Sequence, residues 1–112
     1  MLEVNSYIQN DVLVVDLVGR LDGITSKIFT EKTSEPSQIG ISKIVLDCKE
    51  LNYISSEGLR VILMAAKRAK SSGGALTLCR VNPSVNEVMV ISGFGALLGV
   101  HPDLEKAISA IS

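Results

Sequence analysis

The sequence predicts an α/β fold: a single mixed β-sheet of four to five strands packed with about four helices, in the order β-β-α-β-α-β-α-β-α. Three observations predict it. An alternating segment, a polar turn and a β-branched run open the chain as a hairpin. Short apolar runs then take turns with stretches of helical period, a pattern that builds a partly parallel sheet with helices packed on it. Finally, 112 residues are enough for one hydrophobic core and too few for two, so residues 1–112 read as a single domain.

The elements follow in order. Leu2-Glu3-Val4-Asn5-Ser6-Tyr7-Ile8 alternates, Gln9-Asn10-Asp11 turns, and Val12 to Val18 is rich in β-branched residues. Leu13, Val15 and Leu17 share one face of that second strand and Val12, Val14 and Val18 the other, so both faces are expected to be covered. Gly19-Arg20-Leu21-Asp22-Gly23 breaks the pattern, and Thr25 to Gln38 contains a helix of poor periodicity that Pro36 truncates. Lys43-Ile44-Val45-Leu46-Asp47-Cys48 reads as a short buried strand.

Gly58 to Lys70 carries the strongest helical signal, with Leu59, Ile62, Leu63, Ala66 and Ala69 on one stripe, and Ser71-Ser72-Gly73-Gly74 ends it. Ala75 to Val81 is a strand, and Asn82-Pro83-Ser84 starts a helix whose apolar face is Val85, Val88 and Met89. A brief strand around Leu97 to His101 precedes a last helix after Pro102-Asp103, with Leu104, Ala107, Ile108 and Ile111 on one side.

Composition narrows the function classes. With 4% aromatic residues and no Trp, the core must be aliphatic. Eleven Lys and Arg against twelve Asp and Glu leave a formal net charge of −1, so no basic field or aromatic platform favours nucleic acid. The dense basic run Lys67-Arg68-Ala69-Lys70 reads as a solvated helix face. The first residues show no secretory signal, and the apolar runs Val61 to Ala66 and Phe94 to Val100 fall far short of the roughly 20 residues a spanning helix requires. Cys48 and Cys79 lack metal spacing and read as buried reduced thiols. A cytoplasmic protein without membrane insertion, metal or cofactor is expected.

In α/β sheets, loops that leave a strand and enter a helix are the useful places. Here that segment is Asp47 to Leu59, with Ser55 and Ser56 at the mouth of the best helix. Either hydroxyl could cap the helix, which explains one serine and not two. Gly58, inside the first turn, costs roughly 0.5–1 kcal/mol relative to Ala and allows a close approach to the backbone, for which a partner surface is the candidate. A phosphoryl group here would bring a charge of roughly −1.5 to −2 to the positive end of the helix, tolerated by the fold yet repelling a docked partner. Glu57 makes the unmodified patch already acidic.

Enzyme readings are weaker. Ser56-Glu57-Gly58 matches half of a nucleophile elbow, with Ile54 where the first glycine belongs. His101 is an ordinary loop residue beside Pro102, and Gly93-Phe94-Gly95 has Leu98 in place of the third glycine of a dinucleotide fingerprint. Asp22 lies in a turn that could serve only to cap the next helix. The chain reads as a non-enzyme.

Two strings carry a family resemblance: Gly19-Arg20-Leu21-Asp22, and Ile44-Val45-Leu46-Asp47 followed by Tyr53-Ile54-Ser55-Ser56-Glu57-Gly58-Leu59-Arg60-Val61-Ile62-Leu63. On these the chain resembles the STAS domain in its stand-alone bacterial form, the anti-sigma-factor antagonist, over essentially its whole length. The resemblance implies an antagonist that, unphosphorylated, binds an anti-sigma factor that is also a serine kinase, and so frees a sigma factor. It implies Ser56 as phosphoacceptor, with Ser55 the alternative, a PP2C-type phosphatase that resets the switch, and a monomer or weak dimer. Asp22, Tyr53, Ser55, Ser56, Glu57 and Gly58 would form the partner-binding surface. The chain departs from the family pattern at Ser55, where Asp is common, at Glu57, where Ser or Ala is frequent, and in its weak first helix. Within the same fold the alternatives are a subunit of a lipid-transport or stress-sensing complex, and a small-ligand or nucleotide-binding module.

Overall fold

The computed structural model describes residues 1–38 and 40–112 and contains the expected single mixed sheet. β1 (Leu2–Gln9) and β2 (Val12–Leu21) pair antiparallel as a hairpin. Asn10 and Asp11 join them, both at positive φ (54° and 63°), the conformation a tight two-residue hairpin turn requires and Asn and Asp tolerate. α1 (Ser26–Gln38) leads to β3 (Lys43–Ile54), α2 (Ser56–Ser71) to β4 (Ala75–Cys79), and α3 (Pro83–Ser92) with a short α4 (Phe94–Leu98) to β5 (Val100–His101). α5 (Leu104–Ile111) closes the chain. The sheet runs β1-β2-β3-β4-β5, parallel from β2 onward.

Alternation sorts the side chains. Leu13, Val15 and Leu17 of β2, Ile44, Leu46 and Cys48 of β3, and Leu76 and Leu78 of β4 face the main core with Phe29 of α1, Leu59, Ile62 and Ala65 of α2, and Val85 and Met89 of α3. Val12, Val14, Val45 and Cys79 face the other way, against Ala107 and Ile108 of α5. Both faces of β2 are therefore covered as its sequence indicates, though Val18 is only half-buried. Both cysteines are buried and unpaired.

Several boundaries differ from the sequence reading, among them β4, which ends at Cys79 and not at Val81. β3 does not stop at Cys48 but continues to Ile54, because Glu50 and Leu51 pair with Val18 and Gly19 after one register shift, and Tyr53 and Ile54 with Arg20 and Leu21 after a second. The exposed Lys49, Glu50, Asn52 and Tyr53 gave that half no apolar run to read, although Leu51 and Ile54 are buried. β2 likewise runs through Gly19 to Leu21. α1 reaches Gln38, past Pro36: a proline removes one intrahelical bond near the end without preventing the last turn. Leu97 and Leu98 belong to a helix, leaving only Val100 and His101 as strand, so the order gains one short helix before β5. Gly93 separates α3 from α4 in the left-handed conformation (φ 79°).

Candidate functional site

The parallel strands β2 and β3 end side by side, Leu21 opposite Ile54, and the chain turns from each directly into a helix. The two loops are tied together: the Ser55 N–H donates to the Leu21 carbonyl at 3.0 Å. The start of α2 thus rests on the end of β2.

The two serines at this junction divide the work. Ser55 is the N-cap, in extended conformation (φ −96°, ψ 173°), and its hydroxyl accepts from the Gly58 N–H at 3.1 Å. Ser56 is the first helical residue and is exposed, and its hydroxyl makes no hydrogen bond among the described residues. One hydroxyl holds the helix and the other is presented to solvent at the electropositive helix end.

Gly58 corrects the sequence reading. It is buried, and a Cβ there would lie 2.5 Å from the Leu21 carbonyl oxygen and 3.0 Å from Ile54 Cγ1 and Leu21 Cγ. What approaches this glycine is the chain's own β2 terminus and not a partner. Gly58 sets the spacing that allows β2 and α2 to meet, and it supports the site from beneath.

Asp22 sits on the same rim. Its Oδ1 accepts from the Ile24 and Thr25 N–H groups, each at 3.0 Å, capping the entry to α1. Those bonds, Thr25's first, hold its carboxyl below the usual range. The next residue, Gly23, approaches Glu57, whose Cγ lies 4.0 Å from where a Gly23 Cβ would stand. Capping and flanking the helix mouth are therefore compatible roles.

Tyr53, the penultimate residue of β3, is 41% exposed and lies under the Arg20 guanidinium, 4.1 Å from the ring centroid. Arg20 Nε also approaches Asp22 Oδ2 at 3.8 Å. Glu57 is not the bare anion its sequence context suggested. Both of its oxygens accept from Arg60, one turn along, with Nη2 to Oε2 at 3.1 Å. Chiefly that hydrogen-bonded guanidinium keeps the Glu57 carboxyl below the ordinary range. The acidity expected of the unmodified patch is thus balanced within the helix.

The structure therefore brings Asp22, Tyr53, Ser55, Ser56 and Glu57 to one rim, with Gly58 beneath. Sequence reasoning missed Arg20, Arg60 and Ile24, the last 89% exposed in the loop after Asp22. Arg60 had a readable signal in its i,i+3 spacing from Glu57. Arg20 had none, because its place over Tyr53 follows from strand register. His101 lies on the far side of the sheet, on β5 opposite Cys79. Among the described residues no cluster of three or more His, Cys, Asp or Glu could hold a metal ion, and no helix is long and apolar enough to cross a membrane.

Residues 3–107 match the STAS domain family. A Bordetella bronchiseptica protein bearing the name of anti-sigma factor antagonist BtrV is 35% identical over 99 residues, 88% of this chain and 85% of that one. The anti-sigma F factor antagonist of Paenibacillus polymyxa is 31% identical over 111 residues, 98% of this chain and 95% of that one. Among solved structures, the anti-sigma factor antagonist SpoIIAA of Bacillus in its unphosphorylated form shares the fold with a TM-score of 0.81 at 20% identity, over 98% of this chain and 95% of that one. In its phosphorylated form SpoIIAA gives a TM-score of 0.73, also at 20% identity, over 98% of each chain.

Proposed function

The chain belongs to the STAS domain family, and from that premise we propose that it is an anti-sigma-factor antagonist that works in the cytoplasm by binding and has no turnover of its own. Unphosphorylated, it docks on an anti-sigma factor that is also a serine kinase, and a sigma factor is set free. The partner reads the rim formed by Asp22, Tyr53, Ser55, Ser56 and Glu57, with Arg20 and Ile24 beside them. The kinase then ends the interaction by modifying Ser56, and a PP2C-type phosphatase restores the hydroxyl.

The observation that carries this reading is the contrast between neighbouring serines. The Ser55 hydroxyl is engaged as the cap, whereas that of Ser56 is exposed and unbonded among the described residues. Phosphoryl transfer needs a hydroxyl oxygen free to attack. The Ser56 oxygen bonds to the γ-phosphorus of ATP, the bond to the bridging oxygen breaks, ADP leaves, and the hydroxyl proton passes to a base on the kinase. The product dianion lies at the end of α2 where backbone N–H groups and the helix dipole favour it, so the fold stays intact while the docking rim changes charge. The names of the two curated relatives and the existence of SpoIIAA in both phosphorylated and unphosphorylated forms support the reading.

Incubation with ATP and a cognate anti-sigma factor kinase tests it. One phosphate is expected, and it is lost in Ser56→Ala and kept in Ser55→Ala. Labelling kept in Ser56→Ala and lost in Ser55→Ala moves the acceptor to the cap. A chain that takes no label yet binds its partner stably refutes the phosphorylation switch.

A further inference from the structure

We infer that Arg60 is an internal counter-ion that passes from Glu57 to a phosphoryl group on Ser56, so that phosphorylation uncovers the Glu57 carboxylate as well as adding its own charge. This rests on Ser56 being the phosphoacceptor.

Ser56, Glu57 and Arg60 occupy the first two turns of α2, and Arg60 stands one turn beyond both: i+3 from Glu57 and i+4 from Ser56. Side chains at these spacings are neighbours on a helix surface. In the unmodified chain the guanidinium is committed to Glu57 through Nε and Nη2, while Nη1 contacts Met64 Sδ at 3.5 Å. The Arg60 side chain is 61% exposed, so turning it toward Ser56 breaks no packing in the core.

A phosphoryl group on Ser56 would introduce a stronger acceptor within the same reach. It has three oxygens and a charge of roughly −1.5 to −2, against the single charge of Glu57, and it matches the planar fork of Arg. An anion placed N-terminal to a cation at i,i+4 is also the favoured orientation on a helix. Arg60 therefore follows the larger charge. Glu57, packed toward Gly23 and the loop that Asp22 opens, is left without its cation. Net charge changes by the phosphate alone, but its distribution changes by more. A rim that held a neutral Glu57–Arg60 pair now carries a bare carboxylate facing the β2–α1 loop. A partner docked across that loop meets repulsion at two points, one of them away from the modified residue.

The test installs phosphoserine at position 56 of the full chain during translation, so its outcome does not depend on whether any kinase recognises Ser56; failure of that recognition would show separately in the ATP-labelling experiment. Phosphorus NMR then follows the second ionisation of the phosphate, ordinarily near pH 6. In the otherwise unchanged chain its midpoint is expected below that value, and Arg60→Gln should raise it by a few tenths of a unit, the size of an i,i+4 ion pair. Arg60→Lys should restore part of the shift. The Arg60 Nε–H resonance should also differ between phosphorylated and unphosphorylated chains and titrate with the phosphate. A phosphate midpoint unchanged by Arg60→Gln, or an Arg60 resonance identical in the two chains, overturns the hand-over. Circular dichroism of each variant establishes that α2 is folded when the comparison is made.

Discussion

Gly58→Ala offers a demanding test of the geometry beneath the Ser56 rim. The added methyl would stand 2.5 Å from the Leu21 carbonyl oxygen, with Leu21 Cγ and Ile54 Cγ1 each at 3.0 Å. An ordinary carbon–oxygen contact is about 3.3 Å or more, so the first turn of α2 must retreat from β2 by roughly 0.8 Å. That movement strains the bond from the Ser55 N–H to Leu21, 3.0 Å long, and the cap from Gly58 to Ser55, 3.1 Å long. Overpacking of this kind costs about 1–3 kcal/mol. Alanine gains up to about 1 kcal/mol over glycine in a helix interior. The clash wins, and a net loss of about 1–2 kcal/mol is expected. For a domain near this size that lowers the melting temperature by about 4–8 °C per kcal/mol. Urea and thermal unfolding measure it directly. A Gly58→Ala chain as stable as the parent, or more stable, would mean that α2 is not seated on Leu21, and the close approach that positions Ser56 would be refuted.

Further outcomes follow from the same contacts. Ser55→Ala should cost about 1 kcal/mol in urea unfolding because it removes the N-cap, whereas Ser56→Ala should stay within about 0.5 kcal/mol; the reverse order would exchange the roles assigned to the two hydroxyls. Asp16, opposite Asp47 in the parallel register, has its carboxyl raised above the usual range by burial and then by the Asp47 charge, with Arg80 opposing and Tyr7 nearby. A raised carboxylate stabilises the fold fully only below its unfolded value, about 3.9, and that stability is lost as pH rises through the folded value. The stability of Asp16→Asn relative to the parent should therefore increase from pH 4 toward 7, and a constant difference across that range would remove the Asp16–Asp47 repulsion from the account. Burial pushes the Cys79 thiol up to about 11 and raises Cys48 as well, so an aromatic disulfide reagent at neutral pH should titrate neither at an appreciable rate until urea unfolds the chain. Rapid reaction of the folded chain would contradict that burial.

Much of this protein was legible along the chain because its signals are local. The alternation of Leu2 to Ile8, the β-branched run from Val12 and the apolar stripe of α2 each report a period that the neighbouring residues contain. The Asn82-Pro83 start of α3 is also local, as is the Asp22 turn into α1. Serine at a helix mouth is such a signal too, and it marked the start of α2 to within one residue. The second half of β3 and the short helix at Leu97 gave no such period. Lys49, Glu50 and Asn52 form strand because the end of β2 offers them a partner, and nothing in their own order announces it.

What the sequence determined by itself is the α/β class, the aliphatic core and the presence of two hydroxyls at one helix start. Only the three-dimensional structure showed that Ser55 caps the helix while Ser56 is exposed, and it also assigned Gly58 to the chain's own packing. Both outcomes depend on Leu21, far back in the chain, whose carbonyl receives the Ser55 N–H and leaves no room for a side chain at position 58. That a serine caps this helix can be anticipated from residue types, whereas which of the two does so depends on where α2 begins against the end of β2. The distance between two strand ends is set by the register of a parallel pair joined through a long crossover, and no local pattern records it.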